Sequence, residues 1–356
     1  MLIDAWWFNN TQTEKDALYG IPEYPDLILV PKTHLGIYAD GMTLEFPVCL
    51  NVIVKLKERI LYENQFIFNE ENIKNEDYIF DIHLNKDSSI IDGKIITETL
   101  AVLPDKIIIH IQSNKNIYSK EVNCEYSTLS GKIIDFLGYP FPSPVILRRT
   151  GFENNFDLPF MWVWSCKNGT YSITVPKGIY HHFYVDDNTY SISTLENWSW
   201  HMIVDKDETH NFKIGTGEVY SLCAWADNGG FATLFIYFRP MILKKPEKYQ
   251  IEINGINYEG KDICPVLDLN DITVTINGYE LTKLSLQKIY ETGGENEIMP
   301  AYILQVKRYP ESALYSTSEK QTLIVEYNTI DKNGHKAQSQ GRTQFFYSNA
   351  YACSLL

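Results

Sequence analysis

Helical periodicity is nearly absent from this sequence. Thr11-Gln-Thr-Glu14 has the spacing of a capping box and Gly20 would close a short helix, but no other stretch carries a 3.6-residue apolar stripe over three turns. Without helices to make crossovers, a parallel-sheet α/β architecture is excluded. No apolar run approaches the roughly 18 residues of a spanning helix. The first residues, Met1-Leu-Ile-Asp4-Ala-Trp-Trp-Phe8, place an acid where an export leader needs positive charge, so the expectation is a chain made in the cytoplasm. Cys49, Cys124, Cys166, Cys223, Cys264 and Cys353 stand singly with no C-x-x-C spacing. That scatter argues against a zinc knuckle or a redox pair and for reduced, mostly buried thiols. Basic charge is also short: 31 Lys and Arg, only six of them Arg, face 45 Asp and Glu, for a formal charge of −14. With no basic stripe to offset that field, a nucleic-acid partner is not expected. Nucleotide-binding glycine loops and the G-x-S-x-G nucleophile elbow are missing as well.

What is present is period-two alternation. Val48, Leu50, Val52, Val54 and Leu56 share one face of a stretch whose other face carries Asn51, Lys55 and Lys57. Ile107, Ile109 and Ile111, then Tyr302, Leu304 and Val306, then Leu323, Val325 and Tyr327 repeat the pattern. Between such runs lie Asp92-Gly93, Asn168-Gly169, Asn254-Gly255, Asn277-Gly278 and Asn333-Gly334, pairs suited to the positive φ of hairpin turns. A chain of 356 residues built this way is expected to be all-β, in three consecutive antiparallel β-sandwiches. The expected divisions are residues 1–128, 129–244 and 245–356, the second falling at the polar linker Lys244-Lys-Pro-Glu-Lys248.

One segment carries a family pattern. Gly131-Lys-Ile-Ile-Asp135-Phe-Leu-Gly138-Tyr-Pro140-Phe-Pro142 is followed by Asn168-Gly169-Thr-Tyr171-Ser-Ile173-Thr-Val175-Pro-Lys-Gly178-Ile-Tyr180, and together they resemble the carboxypeptidase regulatory-like domain, a small transthyretin-like sandwich. The resemblance covers about a fifth of the chain and implies a domain that stabilises or recognises without catalysing. Turn residues Asp135, Gly138 and Gly169 and the alternation of Tyr171, Ile173 and Val175 make physical sense of it. Two catalytic relatives of that fold differ at their key residues. Intradiol dioxygenases hold iron through two Tyr and two His, including a closely spaced pair for which His181-His182 does not substitute. Hydroxyisourate hydrolases close on Tyr-Arg-Gly-Ser, where this chain has Ala352-Cys-Ser-Leu-Leu356. Gln321 to Tyr347, two strands around Asp331-Lys-Asn-Gly334, is similar to the closing hairpin of bacterial immunoglobulin-like modules.

Aromatic and imidazole groups crowd the middle third, which holds Trp162, Trp164, Trp198, Trp200, Trp225, His181, His182, His201 and His210. On a strand Trp198 and Trp200 share a face, and so do Trp162 and Trp164. Such pairs either fill a core or offer a stacking platform to a sugar ring. Adjacent His181 and His182 should project to opposite faces, which sets them badly for one metal ion, although one of them has room to act with His201. Asp186-Asp187-Asn188 reads as a solvated turn more readily than as a calcium loop. The candidate ligand surface is therefore Trp198, Trp200, His201, Trp225 and Asp187, with no metal, cofactor or catalytic residue assigned. Trp6, Trp7 and Phe8 cannot all face inward on one strand, so they either dock on a neighbouring domain or bridge subunits of a homo-oligomer. The functional expectation is a non-catalytic structural or recognition protein, on a cell envelope or virus-like particle, binding glycan or protein. The alternative is an enzyme or small-molecule binder with an interdomain pocket around the His/Trp cluster, joined there by His182 and Glu218.

Overall fold

The computed structural model describes residues 2–9, 20–21, 24–28, 33–40, 44–69, 78–84, 103–114, 116–149, 161–186, 189–226, 233–246, 248–261, 263–292, 297–308, 319–331 and 334–347. The chain is all-β, in antiparallel-rich sheets packed around three cores. Among the described residues the one helical turn is a 3-10 turn at Leu269–Asp271. The short helix expected before Gly20 falls outside the described residues, and Gly20 itself opens a strand.

The first part of the chain forms β1 (Leu2–Asn9), β2 (Gly20–Ile21), β3 (Tyr24–Ile28), β4 (Thr33–Asp40), β5 (Val48–Leu56), β6 (Arg59–Phe68), β7 (Tyr78–Leu84), β8 (Lys106–Ser113) and β9 (Asn116–Asn123). Strand order is β1-β4-β7 in one sheet and β6-β5-β8-β9 in another. Val48, Leu50, Val52 and Val54 interleave with Ile107, Ile109 and Ile111 in a fully buried cluster that also takes in Ala5 and Ile37. Leu56, expected on the same face, is only half-buried at the strand end.

The middle segment forms β10 (Tyr126–Asp135), β11 (Pro144–Arg149), β12 (Met161–Trp164), β13 (Thr170–Pro176), β14 (Gly178–Val185), β15 (Asn197–Val204), β16 (Glu208–Thr209) and β17 (Phe212–Ile214). Asp135 closes the first turn: its Oδ1 accepts from the backbone N–H groups of Leu137 and Tyr139, both at 2.8 Å, while Gly138 takes φ +89°. Tyr171, Ile173 and Val175 point into the core as their alternation predicts. Gly169 sits at φ +78°, and a Cβ there would stand 2.3 Å from the Ile133 carbonyl oxygen. Gly169→Ala combines a left-handed backbone with a clash against backbone, so its expected cost is about 2–3 kcal/mol, read from the urea midpoint.

The remainder forms β18 (Gly217–Ala226), β19 (Thr233–Ile242), β20 (Lys248–Ile253), β21 (Ile256–Lys261), β22 (Ile272–Ile276), β23 (Tyr279–Glu280), β24 (Lys283–Thr292), β25 (Glu297–Lys307), β26 (Lys320–Ile330) and β27 (Lys336–Phe346). Gly334, at φ +84°, turns β26 into β27, which pair from Lys320–Phe346 to Ile330–Lys336. Strand pairing crosses the expected division at Lys244–Lys248. Both β18 and β19 lie before that linker, yet β19 pairs with β25 and the two strands share a core with Val274, Leu304 and Val325. On the other side, β15 pairs in parallel with β27, so one eight-stranded sheet, β12-β11-β14-β15-β27-β26-β22-β23, runs through two cores. Linker composition marks an exposed, polar stretch; the partners of a strand are decided by contacts far away in the chain.

Five cysteines are described, and no disulfide joins them. Cys264 is buried, Cys166 is exposed and Cys49, Cys124 and Cys223 lie between, which corrects the expectation that most are buried.

Candidate functional site

The sheet of β12, β11, β14 and β15 is covered on both faces. Val145, Leu147, Met161, Phe183 and Val185 point to the middle core, and the alternating Ile146, Trp162 and Tyr184 point to the C-terminal one. On this second face the register builds two cross-strand rows. Trp162, Ile146, Tyr184 and Trp198 form the first, and Arg148, His182 and Trp200 the second. Direct cross-strand neighbours stand close enough for their rings to pack. Tyr184 stacks on Trp198 at 4.3 Å, and Trp198 on Trp200 at 4.9 Å. The edge of His182 meets both indoles, at 5.2 and 5.4 Å, and Tyr220 closes the stack from β18.

Trp198 is 2% exposed and Trp200 5%. Their shared face is as expected, but it is the inside of the seam between two cores, so neither ring offers a stacking platform to solvent. The Trp198 indole N–H donates to Glu196 Oε2 at 3.0 Å, which satisfies its polar edge without water.

Histidine geometry departs from the expected alternation. In β14 and β15 the register steps from Tyr180–Met202 to His182–Trp200 and passes over His181 and His201. Tyr180 and Met202 face the middle core, whereas Trp200, only two residues from Met202, faces the other. Both strands therefore turn over at the histidine, and His201 does so at φ +51°. A left-handed backbone at a non-glycine residue costs about 1 kcal/mol or more, and on the other side of β14 the pairing with β11 slips by one residue between Arg148 and Arg149. The result brings His181 beside its sequence neighbour His182, which alternation would separate, at 4.5 Å; His201, opposite His181 in the register, lies 4.9 Å from it. His181 and His201 are half-buried, and His182 is buried. Burial pushes His182 down to about 2, with the neighbouring His181, Arg148 and His201 acting in the same direction. His181 is lowered by burial alone. Among the described residues no group of three or more His, Cys, Asp or Glu has metal-holding spacing.

A fourth imidazole, His210, is fully buried beneath β15 and β27. Arg342 Nη1 donates to its Nδ1 at 2.9 Å, which fixes the ring proton on Nε2; that nitrogen then donates to Ser199 Oγ at 2.8 Å. The polarity is opposite to that of a nucleophile and its base, where imidazole accepts the serine proton. Burial, then the Arg342 guanidinium, hold His210 well below the usual histidine range. The trio is a polar strut joining β15, β27 and the link between β16 and β17. Sequence reading missed Arg342 and Ser199 because their partner lies 132 and 11 residues away respectively. Scarcity of arginine was the available signal: Arg148 and Arg308 are buried, Arg342 is half-buried, and Arg239 reaches Glu291 beneath Tyr220.

Trp225 is apart from the cluster. It is half-exposed on the outer side of β18, paired across to Phe235 with the rings stacked at 5.7 Å. Phe235 pairs with Gln305 and Gln305 with Ser285, whose hydroxyl donates to the Gln305 amide oxygen at 3.1 Å. Asp187, and the side chains of Trp6, Trp7 and Phe8, lie outside the described residues; the backbone of the latter three belongs to β1, at the edge of its sheet. A depression of about 350 Å3 lined by Glu45, Phe46, Pro47, Cys49, Gln112 and Asn114 opens on the N-terminal part, and none of the predicted site residues lines it.

No family model and no curated protein matches this chain. Solved structures that align with it include a Bacteroides uniformis ATCC 8492 protein inferred to bind carbohydrate, 12% identical over 62% of this chain and 98% of that one, with a TM-score of 0.21. BcpA, the major pilin subunit of Bacillus cereus, is 10% identical over 62% and 69%, with a TM-score of 0.19. A 1.5-MDa bacterial ice-binding adhesin is 10% identical over 96% and 98%, with a TM-score of 0.18. Similarity at that level carries no argument about what this chain binds. Among the described residues no helix is long and apolar enough to cross a membrane.

Proposed function

We propose that this protein is a non-catalytic structural or recognition component whose partner is a glycan or another protein. The observation that carries the reading is the row Trp225, Phe235, Gln305 and Ser285 on the outer side of the β18-β19-β25-β24 sheet. Leu234, Ile236 and Leu304 from the same strands are in the core, so alternation turns this row outward. Half-exposed indole and phenyl rings beside an amide and a hydroxyl suit a sugar, which presents both apolar C–H faces and hydroxyl groups. The structural half of the reading is supported by the eight-stranded sheet that ties two cores into one body. The middle segment is proposed to be of the carboxypeptidase regulatory-like type, on the strength of its Asp135, Gly138 and Gly169 turns. The second reading, a small-molecule binder at the histidine cluster, draws on the gathering of three imidazoles where β14 and β15 turn over.

The test is a glycan screen on the full chain and on Trp225→Ala, with thermal stability measured in parallel. A saccharide retained by the wild type and lost by Trp225→Ala at near-wild-type stability is the expected result. Saccharide binding that is indifferent to Trp225 removes the row from the account. Deletion of residues 1–10, followed by sedimentation, checks self-association through Trp6, Trp7 and Phe8; an unchanged mass would end that part of the reading.

A further inference from the structure

We propose that His181 and His201 together form a binding site for one divalent transition-metal ion of the Zn2+ or Cu2+ type. Two imidazoles held tetrahedrally at metal–nitrogen distances of about 2.0–2.1 Å have ring centres about 5 Å apart. His181 and His201 stand at 4.9 Å with their planes at 76°. The spacing is achieved at a cost in backbone conformation, since the left-handed His201 sits where asparagine or glycine would be at ease. The unbroken register of β14 and β15 sets His181 opposite His201, so the two half-exposed rings lie side by side across the strand pair.

His182 is as near to His181, at 4.5 Å, but it is buried against Arg148 in the same cross-strand row, and that guanidinium opposes a cation. The site therefore has two protein donors, in keeping with the absence of any described group of three, and leaves coordination positions to water or to an incoming ligand. Imidazole donors favour Zn2+ and Cu2+ over Mg2+ or Ca2+, which prefer oxygen. A formal charge of −14 raises the local concentration of any cation.

The experiment is titration of Zn2+ and of Cu2+ into the full chain by calorimetry, joined to electron paramagnetic resonance of the Cu2+ form. One ion per chain is expected to bind at this pair, with hyperfine coupling from two imidazole nitrogens. His181→Gln and His201→Asn each remove a donor, and the asparagine tolerates the left-handed backbone. Each is expected to weaken binding at least about tenfold, the scale on which even supporting residues of metal sites act. His34 and His83 are paired in the register of β4 and β7, so His83→Ala is a necessary control, together with His110→Ala and His335→Ala. Unchanged binding in all three controls supports the site. No saturable binding, binding that survives both His181→Gln and His201→Asn, or binding lost in His83→Ala overturns it. Should a variant fail to fold, the nitrogen couplings of the wild-type Cu2+ form still decide: fewer than two imidazole nitrogens refutes the pair.

Discussion

Trp198→Ala is expected to lower the free energy of unfolding by about 4 kcal/mol, near the middle of the range for buried Phe or Trp truncations. The indole is 2% exposed, lies between Tyr184 and Trp200 and belongs to the core shared by the middle and C-terminal strands. Its removal deletes two stacking contacts, each worth about 0.5–1.5 kcal/mol beyond area burial, and leaves a cavity that flat neighbours on fixed strands close poorly. The Glu196 carboxylate, 3% exposed, also loses its indole donor. Trp225→Ala, on an outer face, is expected to cost only about 1 kcal/mol. Chemical denaturation of the two variants side by side measures the contrast. Equal effects, or preserved stability in Trp198→Ala with a lost ligand, would return Trp198 to a recognition surface.

Acid is expected to weaken the protein before its carboxylates titrate. His210 has its folded pKa pushed well below its ordinary value, so between that value and about 6.5 the unfolded chain binds a proton that the folded chain refuses. Stability from this group is fully present above about pH 6.5 and is lost as pH falls below it. His182, also held well below its ordinary value by burial, acts in the same direction, so the loss between pH 7 and pH 5 is shared by the two imidazoles. The groups facing the ring are the Arg342 guanidinium, the Ser199 hydroxyl and the rings of Phe183 and Phe212, with Glu208 close to Arg342. None of them accepts the proton in place of the ring. Denaturation at the two pH values should show that loss in the wild type and a flatter dependence in His210→Gln. A wild type equally stable at both values would show that His210 protonates in place.

Strand existence was legible because it is a local property. Alternation at Val48 to Val54, at Ile107 to Ile111 and at Tyr171 to Val175 becomes burial on one face, and the Asp135, Gly169 and Gly334 turns fall where short-range backbone preferences require them. The same logic identified Trp198 and Trp200 as sharing a face, and it left open whether that face met water or a second core. It allowed one of the adjacent histidines to act with His201 but set His181 and His182 on opposite faces, because strict alternation has no room for strands that turn over between them.

Period-two patterning and turn chemistry thus settle that this chain is all-β and where most of its strands run, since both act within a few residues. Tertiary structure alone assigns β18 and β19 to the C-terminal core, runs one sheet through two cores at β15 and β27, buries the tryptophan stack and brings Arg342 to His210 across 132 residues. Those outcomes depend on which faces are covered by distant strands. Coverage is a long-range competition for apolar area and hydrogen-bond partners, and no window of sequence records who the neighbour will be.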